Sequence, residues 1–281
     1  MTSLSNLKIV FVGGGNMANA LIGGLIQKGA QASHIAVADP FEPTRKALEA
    51  NFKISTAENI QGFSEKIQKA DVLVLAIKPQ QFKEAATELA LVFEKSAHKP
   101  LCLSVAAGIR TQDMAKWLKH DRLIRAMPNT PALIGQGMTG LFASNQATKE
   151  DQANAESICH AVGKITWVSE EKQIDDITAV SGSGPAYVFA FIEALEQAAI
   201  TQGLSKDQAR LLATQTVLGA ATLAAQSNES AGTLRERVTS KGGTTYAALQ
   251  VFDQKGWSDI IAQAVAAASA RGAEMGQEFG Q

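Results

Sequence analysis

Three glycine-rich segments hold the residue types best suited to chemistry: Val12-Gly13-Gly14-Gly15-Asn16-Met17-Ala18, Ser181-Gly182-Ser183-Gly184-Pro185-Ala186-Tyr187 and Ser240-Lys241-Gly242-Gly243-Thr244-Thr245. The first fits G-x-G-x-x-G/A, with Ala18 last, where a small residue lets helix and strand pack closely. It follows an apolar strand-like run at 8–12 and opens a helical pattern at 17–28. The N–H groups at such a helix start face the place where a dinucleotide pyrophosphate sits. The other two segments each precede a helical pattern, and their glycines and small hydroxyls leave backbone N–H groups pointing outward. That arrangement suits a carboxylate as well as a phosphate, and it also reads as an ordinary helix cap. Thr244 and Thr245 add hydroxyls that both donate and accept. A dinucleotide site together with a second glycine-lined site points to an enzyme with two substrates.

Shorter segments extend the first site. Asp39 closes a strand pattern at 35–38 and is placed to accept from a ribose 2′-hydroxyl and to repel a 2′-phosphate, which favours NADH. Arg45 and Lys46 follow within about a helical turn and are placed to meet that phosphate instead, while Asp39 also reads as a cap for the turn at Pro40. NADPH and NADH both stay open. Ala76-Ile77-Lys78-Pro79 and Val105-Ala106-Ala107-Gly108 each follow an apolar strand, where open α/β sheets form their ligand crevice. Both also read as plain strand-to-helix loops. Met127-Pro128-Asn129-Thr130-Pro131-Ala132 is stiffened by its prolines and reads as a loop between domains or a structural turn. There is no Tyr-x-x-x-Lys pair, no His–Asp couple and no metal-ligand cluster, and His34, His98, His120 and His160 fall at surface or helix-end positions. The chemistry must therefore proceed without a metal or a strong protein acid.

The elements that position these residues change character along the chain. Strand patterns at 8–12, 35–38, 70–77, 101–105, 123–126, 139–143 and 166–168 alternate with helical ones at 17–28, 44–51, 82–93 and 111–118. Such alternation implies crossover units and a mostly parallel, doubly wound sheet. Beyond about residue 170 only helical patterns follow, at 187–203, 205–226, 233–238, 245–255 and 257–277. The fold class expected is α/β, a Rossmann-type domain at 1–168 and an all-α domain at 169–281. With 281 residues, 46% hydrophobic and 19% charged, two ordinary globular domains fit. The net charge of −1, with no Lys/Arg cluster, argues against nucleic acid or a lipid surface as partner. The apolar runs are too short to span a membrane. The first seven residues do not read as a signal peptide, and Cys102 and Cys159 read as buried free thiols of a cytoplasmic protein.

The motifs together resemble the pyrroline-5-carboxylate reductase family over essentially the whole length. They are the initial Gly-x-Gly-Asn-Met, Ala-Ile-Lys-Pro, Ala-Ala-Gly, Arg-Ala-Met-Pro-Asn-Thr-Pro, Ser-Gly-Ser-Gly-Pro-Ala-Tyr and Gly-Gly-Thr-Thr. The resemblance implies reduction of 1-pyrroline-5-carboxylate to L-proline, the last step of proline biosynthesis, with hydride passing from nicotinamide C4 to the imine carbon C5. It implies a homodimer interlocked through the helical domain, of the kind that assembles further into a ring of dimers. Carried over by residue, cofactor contacts would be Val12, Gly13, Gly14, Gly15, Asn16, Met17, Asp39, Pro40, Asn59, Ala76, Ile77, Lys78, Pro79, Val105, Ala106 and Ala107. Substrate contacts would be Glu171, Val238, Thr239, Ser240, Gly243, Thr244 and Thr245, with Thr245 bonding the imine or product amine.

This chain departs from the family pattern at Lys241, where the family usually has proline, and at Ser230-Ala231-Gly232 in place of His-Pro-Gly. Lys241 frees a backbone N–H and adds a cation beside an anionic site. A β-hydroxyacid dehydrogenase or imine reductase shares the two-domain layout. Those families place a catalytic Lys or Asp on the helix after the middle glycine segment, where this chain has Tyr187, Phe191 and Glu193 and no Lys until Lys206, which disfavours a β-hydroxyacid dehydrogenase. A cofactor-sensing regulator would not need the 240–245 segment.

Overall fold

The computed structural model describes residues 4–280, so part of the stretch read for a signal peptide lies outside the described residues. Strands β1 (Ile9–Val12), β2 (Ile35–Ala38), β3 (Ser55–Ala57), β4 (Val72–Leu75), β5 (Leu101–Ser104), β6 (Leu123–Met127), β7 (Gly137–Ala143) and β8 (Gly163–Trp167) form one sheet. Its order is β3-β2-β1-β4-β5-β6-β7-β8, and only the β6–β7 pair is antiparallel. The chain winds outward from β1 to β3, then begins again at β4 on the other side of β1. The β1–β4 seam is therefore the switch point, where such sheets bind their ligands.

Helices α1 (Asn16–Gln27), α2 (Glu42–Phe52), α3 (Ser64–Gln68), α4 (Pro79–Phe93), α5 (Thr111–Leu118) and α6 (Lys149–His160) cover the sheet. Ile9 and Phe11 of β1 join a core with Leu21 and Leu25 of α1 and Ile158 of α6. Val10 and Val12 join a second core with Phe82 and Leu89 of α4 and Met114 of α5. Burial on both faces explains why these strands read as continuous apolar runs rather than alternating ones. The sequence patterns do not reveal β3, α3 or α6. β3 is a half-buried Ser-Thr-Ala strand at the sheet edge, and α6 is polar and defined mainly by a reciprocal cap between Thr148 and Asp151.

Downstream, α7 (Gln173–Ile177) leads into a π turn at Thr178–Gly182. Helices α8 (Gly184–Thr201), α9 (Lys206–Gln226), α10 (Ala231–Arg237), α11 (Thr244–Gln254) and α12 (Trp257–Phe279) follow. The molecule divides into two compact units. One runs to Ser183 and takes in the chain again from Ala268, and the other is Gly184–Ala267. The first holds the sheet, α1–α7 and the last part of α12. The helical texture begins before the second unit does, because α7 belongs with the sheet: Ile174 is buried and Ile177 lies against Gly140 of β7. In the second unit α8 packs along α9, and Ser205 with Gln208 caps the start of α9 reciprocally.

Candidate active site

Val12, Ala38, Leu75 and Ser104 stand side by side at the ends of their parallel strands. Every cofactor segment expected from the sequence, apart from Asn59, follows directly from one of them. Gly13 donates to the Ala38 carbonyl at 2.8 Å and adopts φ +94°. A Cβ there would lie 2.3 Å from the Ala76 oxygen, so only glycine lets the β1 loop pass this close to the end of β4. Gly14 is equally confined, its Cβ position being 2.8 Å from Leu48 Cδ1, whereas Gly15 faces open space. Asn16 then starts α1, which has neither a side-chain cap nor an acidic residue in its first turn. Its leading N–H groups and positive dipole end are left for an anion. A tight glycine cradle opening onto an uncapped helix start fits a dinucleotide pyrophosphate.

Asp39 serves this cradle directly. Its Oδ2 accepts from the Gly14 N–H at 2.7 Å and its Oδ1 from the Phe41 N–H at 2.8 Å. The turn-capping reading of Asp39 is thus correct as geometry, and the same carboxylate holds the glycine loop. Arg45 reaches back to donate to the carbonyls of Asp39 and Pro40, both at 2.9 Å, while Lys46 pairs with Glu42 at 2.7 Å. Arg45 is therefore at the end of β2, and Lys46 is engaged along its own helix. Asn59 lies exposed beyond the edge strand β3 and accepts from the Gly62 N–H at 2.9 Å. Lys78 is exposed immediately before α4, with Pro79 as the first residue of that helix. Val105 donates to the Leu75 carbonyl at 3.1 Å, and the Ala106 N–H meets Ser104 Oγ at 3.3 Å, so this loop is tied to β4 and β5.

The middle glycine segment differs from expectation. Ser181 and Gly182 sit inside the π turn, and the Ser183 N–H donates to the Thr178 carbonyl at 2.7 Å. Ser181 and Gly182 thus belong to a widened helical turn rather than to a loop, and α8 begins at Gly184. The Met127–Ala132 segment also departs from a domain linker. It connects β6 to β7 within one sheet through a short helical turn at Thr130–Ile134. Asn129 donates to the Ser181 carbonyl at 2.8 Å and accepts from the Met138 N–H at 2.8 Å, fastening the π turn to this connection.

Glu171 lies within a buried ionic cluster that the sequence patterns did not disclose. Its Oε1 accepts from the Thr111 N–H at 2.7 Å and from Arg125 at 2.9 Å, and its Oε2 accepts from the Thr111 hydroxyl at 2.7 Å. It thus caps α5 as well as pairing Arg125. Burial pushes Arg125 below the ordinary guanidinium range, with the Glu171 charge opposing that shift. Arg110 completes the cluster, donating to Asp175 at 2.5 Å. The available signal was a lone arginine in the otherwise apolar strand Leu123–Met127. His120 lies at a helix end, just after α5, but is buried there rather than at the surface, with one ring nitrogen 2.8 Å from the Pro100 carbonyl.

The remaining substrate candidates lie in the second unit. Val238 ends α10 and is exposed, and the Thr239 hydroxyl donates to the Arg235 carbonyl at 2.6 Å. The Gly243 N–H returns to the Ser240 carbonyl at 3.0 Å, closing a turn through Gly242 at φ +75°. A Cβ on Gly243 would lie 2.6 Å from Ser240 Oγ. Thr244 and Thr245 are the first two residues of α11, which has no side-chain cap and no acid in its first turn. Both are exposed, as is Lys241. Arg237, at the end of α10, pairs with Glu229. Here the expected open helix start is present.

A glycine cradle at the switch point of a Rossmann sheet, with a helical unit carried on the same chain, defines a two-domain nicotinamide-dependent oxidoreductase. Residues 8–108 match the family of coenzyme F420-dependent NADP oxidoreductases, and residues 171–275 match the pyrroline-5-carboxylate reductase dimerisation family. The chain is 43% identical to the pyrroline-5-carboxylate reductase of Vibrio alginolyticus, over 98% of this chain and 100% of that protein. The solved reductase from Coxiella burnetii is similar at TM-score 0.89 and 41% identity, covering 96% of this chain and 98% of that one. The reductase of Plasmodium falciparum, solved with NADP bound, is similar at TM-score 0.83 and 25% identity, covering 97% and 99%. The chain belongs to the pyrroline-5-carboxylate reductase family. Among the described residues no helix is long and apolar enough to cross a membrane.

Proposed function

We infer that this chain reduces 1-pyrroline-5-carboxylate to L-proline with NADPH or NADH, the last step of proline biosynthesis. The observation that carries this reading is a dinucleotide cradle in a chain similar to reductases of this substrate along its whole length. The division of labour we propose gives residues 1–168 to the cofactor and 169–281 to the substrate and to dimerisation. Val12–Met17 would hold the pyrophosphate, Asp39 and Pro40 the adenosine ribose with Asn59 nearby, and Ala76–Pro79 with Val105–Ala107 the nicotinamide half.

The chemistry supplied by the bound nicotinamide is hydride from C4, delivered to the imine carbon C5. A protonated cyclic imine is already electrophilic, so the protein's task is to hold and orient it, where much of the rate enhancement of a two-substrate step arises. The first-turn N–H groups of α11 suit the substrate carboxylate, and Gly243 keeps that approach free of a side chain. Thr244 and the Thr245 hydroxyl add donors, and Thr245 bonds the ring nitrogen as imine or amine. Val238, Thr239 and Ser240 line this end of the site, and Lys241 adds a positive charge beside the carboxylate. Glu171, fixed by Thr111 and Arg125, is assigned to the substrate by the resemblance and retains acceptor capacity. We place the enzyme in the cytoplasm as a homodimer, with a ring of dimers as the larger assembly.

The test follows NADPH and NADH absorbance with and without 1-pyrroline-5-carboxylate, with proline identified by mass spectrometry. Substrate-dependent cofactor oxidation with stoichiometric proline is expected. Cofactor binding without turnover would leave a sensor, and turnover only with other cyclic imines or with β-hydroxyacids would reassign the substrate.

A further inference from the structure

The last part of α12 carries glycines at 272, 276 and 280, four residues apart and so on one face of the helix and its immediate extension. Each meets a polar side chain. A Cβ on Gly272 would stand 3.3 Å from Asp175 Cβ, one on Gly276 2.8 Å from Arg110 Nε, and one on Gly280 2.7 Å from Asp113 Oδ2. Gly276 is buried, and Arg110 is held from the other side by its 2.5 Å bond to Asp175. The guanidinium therefore lies between α12 and α7 with little room to move. One turn of α12 also rests on Gly108, whose Cβ position at φ +71° is 3.1 Å from Met275 and 3.2 Å from Phe279. Arg110 and Gly108 both follow closely on Val105-Ala106-Ala107, and Arg110 is the residue from which α5 starts.

We propose that this glycine face is a positioning device for the 105–107 loop, with Gly276 and Arg110 as positioning residues for cofactor binding. The helix can approach closely enough to seat the guanidinium only because it lacks side chains there, and the seated guanidinium fixes the turn that ends the loop. The proposal rests on the reading of Val105–Ala107 as a nicotinamide-end loop. Displacement of such a loop weakens cofactor binding and misplaces the reacting ring; of the proposed substrate contacts only Glu171, which caps α5 beside Arg110, is close enough to respond, so the effect on NADPH is the larger.

Gly276→Leu and the milder Gly276→Ala test this, with NADPH Kd measured by fluorescence titration, both KM values by steady-state kinetics, and Tm by circular dichroism. Gly276→Leu is expected to raise the Kd and KM for NADPH about tenfold, within the range that core overpacking costs, and to leave the pyrroline carboxylate KM within about twofold. Gly276→Ala shifts NADPH in the same direction by less and serves alone if the leucine variant does not fold. In an Arg110→Ala background the Gly276 substitution should add no further loss. Unchanged NADPH affinity, equal increases in both KM values, or an undiminished effect without Arg110 would each overturn the proposal. Ala107→Glu separates the two layers of inference. If it leaves NADPH binding unchanged, the loop reading itself is wrong; if it weakens binding while Gly276 variants do not, only the positioning role fails.

Discussion

Thr245 is the residue whose hydroxyl is asked to meet the reacting nitrogen, and its exposed place at the start of α11 leaves that hydroxyl free for the task. Thr245→Val keeps the shape and removes the hydroxyl. It is expected to lower kcat/KM by about tenfold to a few hundredfold, roughly 1.4–3.5 kcal/mol of transition-state stabilisation, with Thr245→Ser retaining most activity. Steady-state kinetics showing parental turnover in Thr245→Val would remove the residue from the chemistry. Asp39 poses the cofactor question. Its carboxylate is fixed by Gly14 and Phe41, with Arg45 drawn to the carbonyls beside it. Two unit charges about 4 Å apart at an effective dielectric of about 20 interact by about 4 kcal/mol before screening, so Asp39 and Arg45 pull a 2′-phosphate in opposite directions. Both cofactors should work, and Asp39→Ser should raise the NADPH/NADH ratio of kcat/KM. A ratio identical to the parent's would leave Asp39 as a turn and loop residue only.

The π turn shows how far local patterns carry. Ser-Gly-Ser-Gly looks like an open loop before a helix, yet Ser181 and Gly182 are inside a widened helical turn. What holds it there is Asn129, far away in sequence, and no local preference reveals such a partner. Asn129→Ala would strand the partly buried Ser181 carbonyl and Met138 N–H, at a cost of about 1 kcal/mol. Chemical denaturation is expected to show that loss, and an unchanged midpoint would mean the two bonds contribute nothing net. By contrast, the glycine cradle was legible because strand, turn and helix follow one another within residues 9–27. The Gly-Gly-Thr-Thr helix start was legible for the same reason. The cluster of Arg110, Arg125, Glu171 and Asp175 was not, since three separate elements must fold before those charges meet. Edge strand β3 escaped notice because pairing with β2, not apolar content, makes it a strand.

For the whole molecule, two properties follow from where burial is complete and where it is not. Burial holds the His120 ring below its ordinary value of 6.5. As pH falls below about 6.5 the unfolded chain takes up a proton that the folded chain resists, so folding stability declines down to the depressed folded value. The unfolding free energy of His120→Gln should fall less steeply with decreasing pH than the parent's across that window, and parallel slopes would show that His120 does not set the acid limit. The second unit presents the opposite condition. Leu211 and Leu218 of α9, 68% and 57% exposed in the single chain, lie seven residues apart and so share a helix face. Exposed leucines on one face suit a cover, and the dimerisation match over residues 171–275 makes a second copy the cover to test. Leu218→Glu would bury a charge at that cover. Sedimentation velocity should therefore show a shift towards monomer, and Tm at a given protein concentration should lie below the parent's. A variant that remains dimeric at the lowest measurable concentration would place the self-association surface on another face of the helical unit.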